Sequence, residues 1–181
     1  MSRRFALCLV LLLGSPSFAA PASYTAAGGH LNFDYRVTFI GVRGSSDTLT
    51  AEATFSPDDL PQASGRVVIP ATAIRTGNGV QEGHMRGALG AERFPDIVYT
   101  LTGVNSDTML REGQTLATTG SGSLTLKGKT RSLAVPLKLT LNGGKVNVAT
   151  QFKFNPHDYG VDYFGGADSI AIDVSFVLAP R

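Results

Sequence analysis

Apolar and polar side chains alternate along most of this chain. Leu31, Phe33, Tyr35, Val37 and Phe39 share one side of an extended run, with Asn32, Asp34, Arg36 and Thr38 on the other. A period of two marks a strand with two unlike faces. Comparable runs fall at 49–55, 65–69, 97–104, 114–126, 132–141, 145–154 and 168–178, which predicts about eight strands. The late runs are the clearest. Leu133, Val135, Leu137, Leu139 and Leu141 point one way, followed by Val146, Val148, Thr150, Phe152 and Phe154, then Ile170, Ile172, Val174, Phe176 and Leu178.

Turn chemistry separates most of these runs: Ser56-Pro57-Asp58-Asp59, Asn105-Ser106-Asp107, Lys127-Gly128-Lys129 and Asn142-Gly143-Gly144. Connections this short favour antiparallel neighbours in a meander. A sheet of about eight strands with one continuous apolar face must close on itself or fold into a sandwich to hide that face and its edges. A closed barrel of this size has an interior that side chains fill or that holds one small ligand. Gly120 and Gly122 in mid-strand leave room on one face or permit sharp curvature.

The segment from Pro70 to Pro95 breaks the rhythm. Asn78 with Gln81 three residues on resembles a capping box. Met85, Ala88 and Leu89 share a helical face, and Glu82 with Arg86 is a favourable i,i+4 pair. Gly83, Gly87 and Gly90 weaken the helix, each by roughly 1 kcal/mol relative to alanine. A short helix or helical loop lying across a barrel end or flank is expected.

The N-terminus has a different character. Arg3 and Arg4 precede an apolar run from Phe5 to Leu13, then Gly14-Ser15-Pro16 and the small-residue site Ser17-Phe18-Ala19. That order predicts a secretory signal peptide over 1–19, cleaved after Ala19 and too short for a permanent anchor. Residues 20–181 then form one domain of an exported protein, periplasmic or secreted. With the leader go the single cysteine, Cys8, and two positive charges, which leaves 14 basic residues against 14 acidic. Nothing in that balance steers the chain to nucleic acid, and no disulfide can form in the mature chain. About 160 residues still suffice for one core that buries close to 70% of the unfolded surface.

Candidate chemistry is sparse. His30, His84 and His157 are the only histidines and show no zinc-ligand spacing. There is no G-x-S-x-G elbow, and Asp158, Asp162 and Asp168 miss the spacing of a calcium loop. Aromatic residues are more informative. Phe33, Tyr35 and Phe39 lie on the first predicted strand, Phe152 and Phe154 on the seventh, and Tyr159, Tyr163 and Phe164 in the loop after it. Pattern alone reads them as an ordinary aromatic core, yet an apolar loop set has little to do there unless it shields an opening.

Three ordered motifs sharpen this picture. They are "RTGNGVQEGHMRGALGAERFPDIVY" from Arg75, "GSGSLTLKGKTRSLAVPL" from Gly120 and "NPHDYGV" from Asn155. Together they resemble the YceI-like family of exported isoprenoid-lipid-binding proteins over about residues 30–178. The chain departs from the family pattern at Lys127, where a histidine is common, at Pro156, where arginine is frequent, and around His30. The resemblance implies an all-β fold with one short helical segment: a closed, eight-stranded antiparallel barrel, lipocalin-like, with an internal apolar tunnel. It also implies non-catalytic capture of a long isoprenoid lipid, polyprenyl or quinone-like, with no cofactor. On that reading Phe33, Tyr35, Val37, Tyr99, Leu124, Phe152 and Phe154 line the tunnel, with Phe94, Tyr159 and Phe164 near an end. His84 and Arg86 either hydrogen-bond the lipid head or fix the helical loop over the barrel. A transient membrane contact and a homodimer are left open as partnerships. The rival readings are a cavity-based enzyme acting on an apolar substrate and a lipid-free structural or stress-related module.

Overall fold

The structure is a computed structural model that describes residues 20–181, so the signal peptide expected over 1–19 lies outside the described residues. In chain order the described residues form β1 (Ala22–Ala27), β2 (His30–Val37), β3 (Ile40–Ser46), β4 (Thr50–Ser56), β5 (Asp59–Pro70), helix α1 (Gly79–Leu89), β6 (Asp96–Asn105), β7 (Thr115–Leu126), β8 (Lys129–Ser132), β9 (Val135–Asn142), β10 (Lys145–Phe154) and β11 (Ile170–Pro180). Every pairing between these strands is antiparallel.

The sheet closes. Strands β1, β4, β5, β6, β7, β9, β10 and β11 are bonded in that order, and β11 returns to β1 with Tyr24 opposite Pro180 and Thr25 opposite Ala179. The remaining segments prolong members of this ring of eight. β2 continues β1 along β11, β3 continues β4 beside β2, and β8 continues β9 beside β7.

The interruptions have local causes. Between β1 and β2, Gly29 takes φ 155°, and a Cβ there would lie 2.7 Å from the Ser175 carbonyl and from Phe176 Cβ. Only glycine fits that approach. Between β2 and β3, Thr38 adopts φ 54° and the chain reverses. The alternation read from Leu31 through Phe39 as one strand therefore ends at Val37, and Phe39 sits at a hairpin tip, 95% exposed. Tight turns at Lys127-Gly128 and Gly143-Gly144, all four residues with positive φ, match the twist of the strands they join.

The helix begins where Asn78 predicts it, because its Oδ1 accepts from the Val80 and Gln81 amides at 3.0 and 3.2 Å. The reach back toward the preceding chain comes from Glu82, not Gln81, since Glu82 Oε1 accepts from the Thr76 amide at 3.0 Å. Gly90 ends the helix in the left-handed region, φ 62°.

Burial is graded along the inward faces. In the half of the barrel toward the 57–58 and 143–144 turns, Leu110, Leu137, Leu139, Val146, Val148 and Leu178 are buried against one another. Toward the opposite end, where the 38–39 turn, α1, the 127–128 turn and the 155–169 loop gather, the inward residues Tyr35, Val37, Phe152, Phe154, Ile170 and Ile172 are only half-buried. Alternation places them inside, so their exposed surface faces an interior space.

Candidate functional site

That space is a cavity of about 410 Å³ running from Leu110 and Leu178 at the packed end to α1 and the 155–169 loop at the other. A volume of this order holds a small organic ligand or part of a longer one. Its wall is built by alternation: Leu31, Phe33, Tyr35 and Val37 from β2, Ile97, Tyr99 and Leu101 from β6, and Val146, Val148, Thr150, Phe152 and Phe154 from β10. Helix α1 adds Met85, Ala88 and Leu89 over the wide end, the same three residues that its helical face groups together in the sequence.

Tyr99 supplies the cavity wall with a polar atom and neutralises it. Its hydroxyl donates to the Leu133 carbonyl at 2.9 Å, at the break between β8 and β9, and more weakly to the Gly120 carbonyl at 3.4 Å. The ring crosses β7 at Gly122, where a Cβ would collide with the Thr100 carbonyl and the Tyr99 hydroxyl. The two mid-strand glycines thus make room: Gly120 for Leu101 and Leu137, Gly122 for the Tyr99 ring. Burial pushes the Tyr99 hydroxyl up to about 12, so it stays a neutral donor.

The wide end is held by contacts among three elements. The Thr38 amide donates to the Gly165 carbonyl at 2.6 Å, and the Ala167 amide donates to the Arg36 carbonyl at 2.9 Å, joining the β2–β3 hairpin to the 155–169 loop. Tyr163 in that loop shares a hydrogen bond with His84 Nδ1 of α1 at 3.2 Å. Within the loop, His157 Nδ1 lies 2.7 Å from Asp162 Oδ1 and Nε2 lies 3.5 Å from Asp168 Oδ1. The hydrogen bond to Asp162 raises the His157 pKa above its ordinary value, and the charges of Asp162 and Asp168 act in the same direction. Burial raises the Tyr35 hydroxyl too, with help from Asp168 and Asp162. Lys127 donates through Nζ to the Gly160 carbonyl at 2.7 Å and so ties the 127–128 turn to the loop.

Eight of the twelve residues expected to contact a ligand share the cavity: Phe33, Tyr35, Val37, His84, Tyr99, Leu124, Phe152 and Phe154. Four lie elsewhere. Arg86 points to Glu82, with Nη2 2.9 Å from Oε2, so it pins the helix instead of entering the cavity. Phe94 packs on Gly90 and Gly128 beneath the Arg93 guanidinium, 5.2 Å from the ring centre. Tyr159 is buried behind the wall, edge-on to Phe154 at 5.4 Å. Phe164 is 98% exposed at the loop tip. Tyr163, Met85 and Leu101 belong to the cavity without having been picked out as contacts. Tyr163 was visible only as part of an aromatic-rich loop, and nothing local in the sequence brings it to His84. The three histidines do not converge, each having its own partner: Asp47, Tyr163 or Asp162. Among the described residues no cluster of three or more His, Cys, Asp or Glu side chains could hold a metal ion.

A family model described as a YceI-like domain matches residues 24–178. Comparison with curated proteins by sequence returns no match. Among solved structures, a polyisoprenoid binding domain from Saccharophagus degradans, implicated in plant cell wall breakdown, superposes with a TM-score of 0.71 at 17% identity, covering 88% of this chain and 99% of its own. BcnA of Burkholderia cenocepacia gives 0.70 at 16% identity, with 82% and 95% covered. The Campylobacter jejuni YceI protein gives 0.63 at 17% identity, with 81% and 88% covered. At these identities the likeness is one of fold.

Proposed function

Because the chain belongs to the YceI-like domain family, we propose that it is a non-catalytic exported carrier that holds a long isoprenoid-type lipid in its barrel. The observation that carries this reading is the continuous apolar cavity, open toward α1 and lined by half-buried aromatic and aliphatic side chains. The polyisoprenoid binding domain from Saccharophagus degradans, similar over 88% of this chain, supports the choice of ligand class. The basic, apolar and small-residue order of residues 1–19 supports export.

Burial alone can supply the affinity. At roughly 0.3 kcal/mol per heavy atom, a chain of about 40 carbons taken up whole would gain about 12 kcal/mol, a nanomolar dissociation constant, and the part the cavity encloses gains in proportion. The polar groups around the cavity serve the architecture: the Tyr99 hydroxyl satisfies wall carbonyls and Tyr163 meets His84. His84 stands at the open end, where a lipid head would lie, and offers it a hydrogen-bonding imidazole.

Phe152→Arg tests the assignment by placing a charge in the cavity wall, where an apolar chain cannot compensate it. Wild type and variant are purified side by side, and their bound lipid is compared after confirming by circular dichroism that both are folded. The expected result is at least a tenfold loss of lipid from the variant. Equal lipid content in the two folded proteins would remove the cavity from the account.

A further inference from the structure

Among the described residues, the most exposed apolar side chains gather at one end of the barrel, whereas Met109 and Val177, less exposed, lie elsewhere. Phe39 at 95%, Ile40 at 63% and Phe164 at 98% exposure occupy the tips of the β2–β3 hairpin and the 155–169 loop, which hydrogen bonds hold side by side. Val80, 69% exposed, lies one helical turn before His84 on the same face of α1, and His84 reaches Tyr163 of that loop. All four flank the open end of the cavity. Two phenylalanines left wholly in water at loop tips are costly to solubility and point to a surface that is covered in use.

We propose that these tips form a docking edge for a lipid bilayer, with Phe39, Ile40 and Phe164 entering the leaflet so that the cavity mouth faces the acyl chains. The inference rests on the lipid-carrier reading, since it supplies the route by which an insoluble ligand passes between membrane and barrel without crossing water. Three observations choose a bilayer over another protein. The patch is modest: the two rings, Ile40 and Val80 expose on the order of 600 Å², short of the about 800 Å² per partner in a standard protein interface. It is convex, made of two projecting tips, which suits insertion between headgroups better than packing on a second rigid surface. Its rim is also electrically mixed, because Arg36 and Arg43 on the hairpin are offset by Asp34, Asp162 and Asp168. Attachment therefore depends on apolar insertion and not on anionic headgroups.

Flotation of the protein, purified from expression of the full chain, with phosphatidylcholine vesicles tests this. F39S/F164S changes only exposed side chains, so the barrel is retained. The expected result is binding of the wild type that survives a rise from about 0.1 M to 1 M salt and falls at least tenfold in the double variant. The chain contains no tryptophan, so F39W and F164W report directly: vesicles should blue-shift their emission. M109W, at the opposite end of the barrel, should not respond. Equal flotation of wild type and double variant, or unshifted F39W emission, would overturn the proposal. So would a wild-type dimer that the double variant splits without change in vesicle binding, which would make the edge an interface between copies. Lipid extracted from the same preparations separates the two readings: lipid-filled protein that ignores vesicles sinks the docking edge alone, whereas lipid-free protein that still docks through Phe39 and Phe164 sustains it and sinks the carrier.

Discussion

Tyr99 illustrates how single residues keep the wall apolar without leaving its polar atoms unpaired. Its hydroxyl serves the Leu133 carbonyl, where β8 and β9 separate and no ladder bond is available. Tyr99→Phe should cost about 1 kcal/mol of folding free energy, measured as a shift in the urea midpoint, because it strands that carbonyl. Gly122→Ala should cost more, about 1–3 kcal/mol in the same assay, because the new methyl meets the Thr100 backbone carbonyl, which cannot rotate away. Thr150 presents the opposite case. Its hydroxyl is buried without a partner among the described residues, so Thr150→Val should stabilise by about 1 kcal/mol.

At the scale of elements, the helix and the loop at the open end are predicted to be the least independent parts of the fold. No residue of α1 is fully buried, so its cap matters. Asn78→Ala should cost about 1 kcal/mol, seen as roughly fivefold faster amide exchange confined to 79–89. The 155–169 loop carries a pH dependence. His157 has its pKa raised by its bond to Asp162, so the protonated ring is the bound form. The stabilisation is complete below the ordinary value of about 6.5 and is lost as pH rises through the raised folded value. Titration of the His157 ring by NMR should give a midpoint above 6.5, and Asp162→Asn should bring it back toward that value. A midpoint unchanged by Asp162→Asn would contradict this account of the loop.

Legibility in the sequence followed the physics of each element. The hairpins at 127–128 and 143–144 were evident because their turn residues tolerate positive φ and their strands alternate cleanly. The helix was evident from Asn78 and from the spacing of Met85, Ala88 and Leu89. β1 and β3 were not, because Gly28-Gly29 breaks β1 from β2 within a strand that the barrel treats as continuous, and the reversal at Thr38 falls inside a run whose alternation continues through Phe39. Cavity residues on strands were found by period two, a local property. Phe94, Tyr159 and Phe164 lie near the wide end, where the resemblance puts them, and Arg86 takes the second of its two expected roles in holding the helix. That none of the four lines the cavity is invisible in the sequence, because the route of a loop or a helix face over the barrel depends on long-range contacts. Lys127 with Gly160 and Tyr163 with His84 are such contacts.

The whole molecule is a closed wall packed tightly at one end and hollow toward the other. Closure leaves few free strand edges, and the grading of burial along β2, β10 and β11 turns one face of the sheet from core into container. The same geometry predicts that filling the container stabilises it, since a ligand bound only by the folded barrel raises its melting temperature in proportion to the logarithm of its concentration. The most direct measurement of the central claim is organic extraction of gently purified protein followed by mass spectrometry. The account predicts an intact isoprenoid-type lipid at about one per barrel in the wild type and its loss in Phe152→Arg. A folded wild-type protein that yields no apolar lipid, and binds none when a polyprenyl lipid is added, would contradict it.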